Sequence, residues 1–543
     1  MHVLGYMPHH RKITEVDHPP RGLTHRGKAN TRMQGHESLS EASSDGPVFR
    51  SRRLHLETQH EPIVLLHAGC PIARSEGLSA RAQVELHAGG MTALATLYQV
   101  AGDLLGVHEV GLSEVVWRRL QVADGTPLIV RHPKPLGSMS AVRAKVYGHR
   151  LDETQLHAIV QDIVAERYSD VELATFITAF SSQPASIEEM TSLTRAMVDA
   201  GDRLVWPQHT VVDKHSIGGL PANRTTPLVV AIVAAAGLTI PKTSSRAITS
   251  PAGTADTMET MTTVDLDIPA MRRVVEREGG CIVWGGSVRL SPADDIIIRV
   301  ERAVDLDSPA QLVASVLSKK LAAGSTHVLL DLPVGPTAKI RSEAEAAVLS
   351  GYLLQVGERV GLAVKPMISD GRQPVGSGIG PALEARDVLS VIRGEPGAPA
   401  DLRQRALTLA GSVIELGGAA AAGSGEALAT SILDDGSALR KFMAICDAQG
   451  GFREPPVAPL QREICSSAAG RVLSINNRNL ARLAKLAGAP AAKSAGVELH
   501  VKMGDGVEAG QPVMTVHAET PGELEYALAF ERASPAILQL EEA

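Results

Sequence analysis

Aromatic rings are scarce in this chain. They make up 3% of 543 residues, so the cores must be built from Ala, Val, Leu and Ile. Few side chains remain to stack on bases, which argues against a single-stranded nucleic-acid binder. A basic excess is missing as well: Lys plus Arg number 53 against 60 Asp plus Glu, a formal charge of −7. Nucleic-acid binders usually carry the opposite imbalance. An anionic ligand here must be gripped by a local cluster and not by the overall field. The four cysteines (Cys70, Cys281, Cys446 and Cys465) lack the spacing of a zinc site or a disulfide framework. That pattern predicts a reducing cytoplasm and no metal. No basic-then-apolar secretion signal opens the sequence. The most apolar run, 228–236, is far shorter than the ~20 residues a bilayer span needs, so it reads as a buried helix and no membrane partner is expected. No internal repeat is evident.

Hydrophobic residues reach 44%, enough for large cores, and the length calls for two to four domains. Residues 1–50 are rich in His, Arg, Gly, Ser and Pro and cannot bury enough surface to offset their ordering entropy. They read as a disordered extension, or as a start codon placed too early. Residues 51–135 hold short strand-like runs, 62–66 and 128–132, the second bounded by Gly125, Pro127 and Pro133; they predict a small N-terminal β domain. Residues 141–210 turn helical. Leu156, Ile159, Val160, Ile163 and Val164 recur at three-and-four spacing, and Ser186 followed by Glu188 and Glu189 marks a helix start. Later helices could complete this helical domain. Residues 211–445 alternate strand-like runs (210–212, 281–284, 296–300, 328–332) with helix-like runs (227–236, 311–320, 342–356). Such alternation predicts a central α/β domain with a mixed or parallel sheet. After the Gly/Pro-rich break at 450–459, residues 455–543 read as a C-terminal, barrel-like α/β domain. The fold class is α/β, multi-domain, and ligands of such sheets sit beyond the carboxyl ends of the strands.

Four motifs fall in those loops. Asp213-Lys214-His215-Ser216-Ile217-Gly218-Gly219, read as following a strand, continues through Asn223-Arg224-Thr225-Thr226 into the apolar helix. Glycines let backbone N–H groups approach an anion, and a helix N-terminus adds positive potential. Lys214 brings a full charge and Ser216 a neutral donor. An ordinary strand-to-helix turn with a surface lysine would look alike. The stretch Lys242 to Asp256 packs hydroxyls around Arg246 and Gly253, donors suited to phosphate oxygens; helix capping explains only one or two of them. On the run 311–320, Ser315 and Lys319 share a face, with Arg299, Glu301, Asp305 and Asp307 upstream. Asp307 is placed to act as a general acid or simply to cap the helix. Gly335-Pro336-Thr337-Ala338-Lys339 follows a strand, which singles out Lys339.

These residues resemble the thymidine phosphorylase and AMP phosphorylase family. The block Ser244-Ser245-Arg246 through Gly253-Thr254, Asp256 and Glu259 is similar to its signature, and Lys214-His215-Ser216 with its glycines matches too. The resemblance covers roughly residues 50–540. It implies phosphorolysis of an N-glycosidic bond, with inorganic phosphate as co-substrate, no cofactor, and a nucleoside or nucleotide as the small-molecule partner. By resemblance, Lys214, Ser216, Ser244 and Thr254 are phosphate contacts and Gly219 lies near the substrate. Arg299, Ser315 and Lys319 fall where thymidine phosphorylases hold the pyrimidine. Asp307 falls where AMP phosphorylases place their proton donor. Ser245, Arg246, Ala247, Ile248, Thr249, Ser250, Thr254, Ser315 and Lys339 fall on nucleotide-binding positions. The loop Ala247 to Ala252 lacks the histidine of short thymidine phosphorylases and, with Asn223-Arg224-Thr225-Thr226 and the extra N-terminal domain, is similar to AMP phosphorylases. Both substrates stay open, leaning mildly to a monophosphate. The family implies a homodimer or larger homo-oligomer, cleft closure during turnover, and a site between the helical and α/β domains.

Three decoys carry less. Gly376-Ser377-Gly378-Ile379-Gly380 lacks the third glycine and the acidic partner of a dinucleotide loop. Val501-Lys502-Met503 with Gly510-Gln511-Pro512 is similar to a biotinyl or lipoyl carrier but lacks the methionine before its lysine. His9, His10, His18 and His25 sit where no ordered scaffold is expected.

Overall fold

The computed structural model describes residues 48–542 apart from 76, 223, 248, 249, 305, 307 and 534–536. The extension expected over 1–50 lies almost wholly outside the described residues. The chain divides into two units, Met1–Pro133 and Lys134–Ala543.

In the first unit, β1 (Val48–Arg53), β2 (Ile63–His67), β3 (Gln83–Ala88), β4 (Met91–Val100), β5 (Glu109–Leu112) and β6 (Pro127–Arg131) close a barrel in the order β1-β5-β2-β4-β3-β6. Alternation explains its filling: Val64 and Leu66, Val84 and Leu86, and Ala95 and Leu97 point inward and are fully buried. Closure leaves no sheet edge to pair with another chain. Short helices α1 (Pro71–Ser75) and α2 (Glu114–Leu120) complete the unit.

The second unit begins with four helices, α3 (Met139–Val146), α4 (Glu153–Val164), α5 (Asp170–Ser182) and α6 (Ile187–Asp199). Reciprocal capping boxes start three of them, pairing Asp152 with Gln155, Ser169 with Glu172 and Ser186 with Glu189, each satisfying two orphan amides. The α/β part then runs β7 (Val212–Ser216), α7 (Thr225–Ala235), β8 (Ile240–Ser244), α8 (Thr254–Glu259), α9 (Ile268–Glu278), β9 (Gly280–Trp284), α10 (Pro292–Val304), α11 (Pro309–Ala322), β10 (His327–Val334), α12 (Glu343–Val360), β11 (Ala363–Asp370). Strands β7, β10 and β11 pair in parallel, as do β8 and β9. A parallel bridge between Val211 and Thr239 joins the two sets. Helix α7 is buried on every side, from Leu228 to Val233, which is why its sequence shows no polar stripe.

Two expectations change here. The run 296–300, read as a strand, is the middle of α10. Ala293, Ile297 and Val300 are buried at the i, i+4, i+7 spacing of a helix face; three adjacent isoleucines masked that period. Helix α10 joins α11 and the four opening helices in one hydrophobic core. The C-terminal region is not a barrel among the described residues. Its sheet of Gly378–Ile379, Gly496–Leu499, Pro512–Ala518 and Leu460–Cys465 stays separate from one of Gly506–Val507, Gly470–Ile475 and Leu538–Glu542. The described helices are all too short or too polar to cross a membrane.

Candidate active site

The first motif begins inside β7 and runs on past its end. Its strand placement puts Lys214 and Ser216 on one face and Asp213 on the other, because side chains alternate. Lys214 is fully buried. Its Nζ donates to Ser216 Oγ (2.6 Å), Thr225 Oγ1 (2.7 Å) and Thr226 Oγ1 (3.3 Å). Among the described residues no carboxylate pairs directly with it. Burial pushes this amine down to about 8, with Asp331 working the other way. Asp331, on the adjacent β10, acts through Ser216: its Oδ2 accepts from Ser216 Oγ at 2.9 Å and its Oδ1 from Ser369 Oγ at 2.5 Å. On the opposite face, Asp213 takes an ion pair from Lys320 (2.7 Å) and lies 3.8 Å from Lys242. Burial, then Lys320, Lys242, Lys319 and Lys214, holds His215 well below the usual imidazole range, so its ring is neutral at pH 7.

The second motif starts inside β8 and turns back sharply. Ser244, the last residue of β8, is buried, and its Oγ has no partner among the described residues. Arg246 donates to Glu259 twice (2.8 and 2.7 Å) and to Asp256 (3.2 Å), and stacks 4.8 Å from the ring of Trp284. Asp256 Oδ2 accepts from the backbone N–H of Ala247 (2.6 Å) and of Gly253 (3.0 Å), tying the two sides of the loop together. A Cβ on Gly253 would stand 2.5 Å from the Ser245 carbonyl oxygen, so only glycine allows that turn. Thr254 opens α8 directly after it.

The third group is built on two helices. Lys319 on α11 pairs with Asp294 on α10 at 2.5 Å, and Ser315 sits one turn before it. Arg299 donates from α10 to Asp170 at 2.9 Å. The fourth motif approaches the first: Gly218, at φ +90°, has the Lys339 Cβ 3.1 Å from where its own Cβ would stand.

Residues 208–439 match the family described as glycosyl transferase family, a/b domain; 139–201 match its helical bundle domain; and 471–537 match the pyrimidine nucleoside phosphorylase C-terminal domain. A relative named "Putative thymidine phosphorylase 2" in Acidovorax sp. (strain JS42) is 59% identical over 92% of this chain and 97% of its own. One named "Putative thymidine phosphorylase" in Polaromonas sp. (strain JS666 / ATCC BAA-500) is 60% identical over 89% and 94%. A third, in Chelativorans sp. (strain BNC1), is 56% identical over 93% and 99%. The chain belongs to the thymidine phosphorylase family.

Within this family member, the residues expected at the phosphate gather at the carboxyl ends of β7 and β8: Lys214, Ser216, Ser244 and Thr254, with Gly219 in the adjoining turn. Ser245, Arg246, Ala247 and Ser250 form the loop beyond β8, where Ser250 Oγ donates to the Ala252 carbonyl oxygen at 2.8 Å. Ile248, Thr249, Asp305 and Asp307, the last expected to be the proton donor, lie outside the described residues, as does Asn223. Sequence reasoning did not single out Asp331, Ser369 or Trp284. Strand pairing alone, placing Asp331 beside Ser216 and Trp284 beside Ser244, could have found the first and last. Both decoy loops are structural. Lys502 Nζ donates to Pro374 O (3.0 Å), Gly376 O (2.6 Å) and Asp401 (2.8 Å), which takes up all three of its protons. The amides of Ser377 and Gly378 both point at Asp387 (2.8 and 2.9 Å).

Proposed function

We propose that this enzyme uses inorganic phosphate to cleave the N-glycosidic bond of a nucleoside monophosphate, releasing the free base and a sugar 1-phosphate. The observation that carries the reading is Lys214: among the described residues, a buried cation partnered by hydroxyls and no carboxylate, with the buried and unpartnered hydroxyl of Ser244 at the end of the neighbouring strand β8. Buried charges are ordinarily paired, so this arrangement suits an anion that arrives with the substrate. A phosphate oxygen attacks the anomeric carbon as the C–N bond breaks. The bonding pair leaves with the base, which takes up one proton, and Asp307 is the donor by resemblance. Holding the dianion against the sugar supplies proximity and electrostatic stabilisation of an oxocarbenium-like transition state. His215, neutral among lysines, keeps one ring nitrogen free to accept.

The substrate reading rests on the hydroxyl-rich loop after β8, which suits a second phosphate group. The names of the relatives favour thymidine instead. Phosphate-dependent base release from AMP, CMP, UMP, thymidine and uridine decides between them. Turnover of a monophosphate and of no free nucleoside is the expected result. Turnover of thymidine or uridine alone would overturn the monophosphate assignment and leave phosphorolysis standing. We also expect a cytoplasmic homo-oligomer that needs no cofactor.

A further inference from the structure

We infer that Lys493, in the C-terminal region, is a positioning residue for the substrate loop beyond β8. Its Nζ lies 2.6 Å from Glu259 Oε2 and 3.7 Å from Asp256 Oδ1. These are the two carboxylates that hold the loop: Glu259 takes both guanidinium nitrogens of Arg246, and Asp256 takes the amides of Ala247 and Gly253. Lys493 is itself braced. Its carbonyl oxygen accepts from Ala382 N at 3.0 Å, at the start of the helix Pro381–Arg393. Its neighbour Ser494 is held through N and Oγ by Glu519 (3.0 and 2.9 Å). A cation on a fixed backbone orients its partners more sharply than one on a mobile loop.

Charge gives the contact its function. Arg246 and Lys493 balance Glu259 and Asp256, so the anchor of the loop is neutral. Arg246 first, with Lys493 adding to it against the opposing effect of burial, holds the Glu259 carboxyl down to about 2. Without Lys493 the anchor carries one net negative charge, next to the strand end where Ser244 and Thr254 are placed to receive phosphate. Like charge in a partly buried site repels an incoming dianion, and the amides on Asp256 lose part of their fixed acceptor.

This inference rests on the phosphorolytic reading for its kinetic half only. The test compares the full-length parent with Lys493→Met and Lys493→Arg. In Lys493→Met the KM for phosphate is expected to rise about tenfold, with kcat changing less, and Lys493→Arg to restore it. Adding Glu259→Gln to Lys493→Met restores neutrality and is expected to recover part of the lost phosphate affinity, which a purely structural contact would not do. Independently of turnover, hydrogen exchange at the amides of Ala247 and Gly253 is expected to quicken in Lys493→Met while amides in β10 keep their protection. Should the methionine variant fail to fold, Lys493→Gln takes its place in the same comparison. A phosphate KM within twofold of the parent, or unchanged exchange at both amides, overturns the assignment. A parent that releases no base with any substrate overturns the phosphorolytic reading instead, and the exchange measurement then judges Lys493 alone.

Discussion

Two buried lysines, one in the helical bundle and one at the end of the central sheet, are solved by the fold in opposite ways. Lys145 on α3 meets Glu189 Oε1 at 2.7 Å, with both side chains almost fully buried. The same carboxylate caps α6 and accepts from Leu151 N, so both of its oxygens are engaged. Lys145 also stands 5.0 Å over the Phe180 ring. Lys214 is as deeply buried, but its partners among the described residues are hydroxyls. Asp331, the acid that acts on it most, is linked to it through Ser216. Hydroxyls solvate a cation without cancelling it, so among the described residues the sheet end keeps a charge with no acid paired directly to it, which costs stability. A stabilised fold would have placed an acid there, as the bundle does. Strain of this kind is expected where binding later offsets it.

The largest effect that could break this contrast is on Lys214. Lys214→Met is expected to cut kcat/KM for phosphate about a thousandfold, the order seen when a preorganised donor to a reacting anion is removed. The melting temperature should hold or rise, since an unpaired buried charge has gone. Near-normal kcat/KM with a lower melting temperature would make Lys214 the same kind of lysine as Lys145. The converse variant, Lys145→Met, leaves Glu189 buried without its cation and is expected to cost about 3–5 kcal/mol in chemical denaturation. Its kcat/KM per folded molecule, measured well below the transition, should stay within about twofold of the parent. A smaller effect comes from pH. Burial pushes Lys214 down to about 8 in the free enzyme, so it is charged below that pH and loses its proton above it. Expressed per phosphate dianion, the KM should therefore be flat below pH 8 and rise up to about tenfold per pH unit above it. His215, already neutral at pH 7, does not titrate in that window. A flat profile to pH 10 would mean that Lys214 does not face the anion.

Much of this contrast was legible in sequence, and the reasons it stopped are local. Capping boxes at Asp152, Ser169 and Ser186 are contiguous patterns, so the bundle could be read residue by residue. Lys214 and Ser216 stood out because a glycine-containing turn into a helix start, carrying a charge and a hydroxyl, suits an anion. What carries the contrast, however, is the partner, and partners come from far along the chain. Asp331 reaches Ser216 across 115 positions, and Glu189 reaches Lys145 across 44. Nothing in the spacing of lysines says which one will find an acid. Helix α10 failed for a different reason: Ile296-Ile297-Ile298 satisfies a strand period and a helix period at once, and only the wider window from Ala293 to Val304 separates them. The motif boundaries also shifted inward, so that Lys214 and Lys242 lie on strands, where alternation and not loop freedom sets their direction.

The smallest expected effect concerns Arg299, whose role comes from resemblance. In this structure its guanidinium is spent on Asp170, across an exposed pair with side chains 37% and 65% accessible. Such a pair is worth about 0–1 kcal/mol. If Arg299 holds the base, it must first leave Asp170, and the cost of leaving appears as weaker binding. Asp170→Asn removes that cost, so it should lower the KM for the nucleoside substrate by no more than about fivefold, which is about 1 kcal/mol. The KM for phosphate should not move, because the proposed phosphate contacts are Lys214 and Ser244. Arg299→Ala should shift the same nucleoside KM in the opposite direction and by more. If neither variant moves the nucleoside KM, Arg299 is a surface partner of α5, and α10 contributes only Asp294 to the site through Lys319. That result would sharpen the contrast in one more place: an exposed arginine with an acid at hand behaves like Lys145, and a cation left to hydroxyls behaves like Lys214.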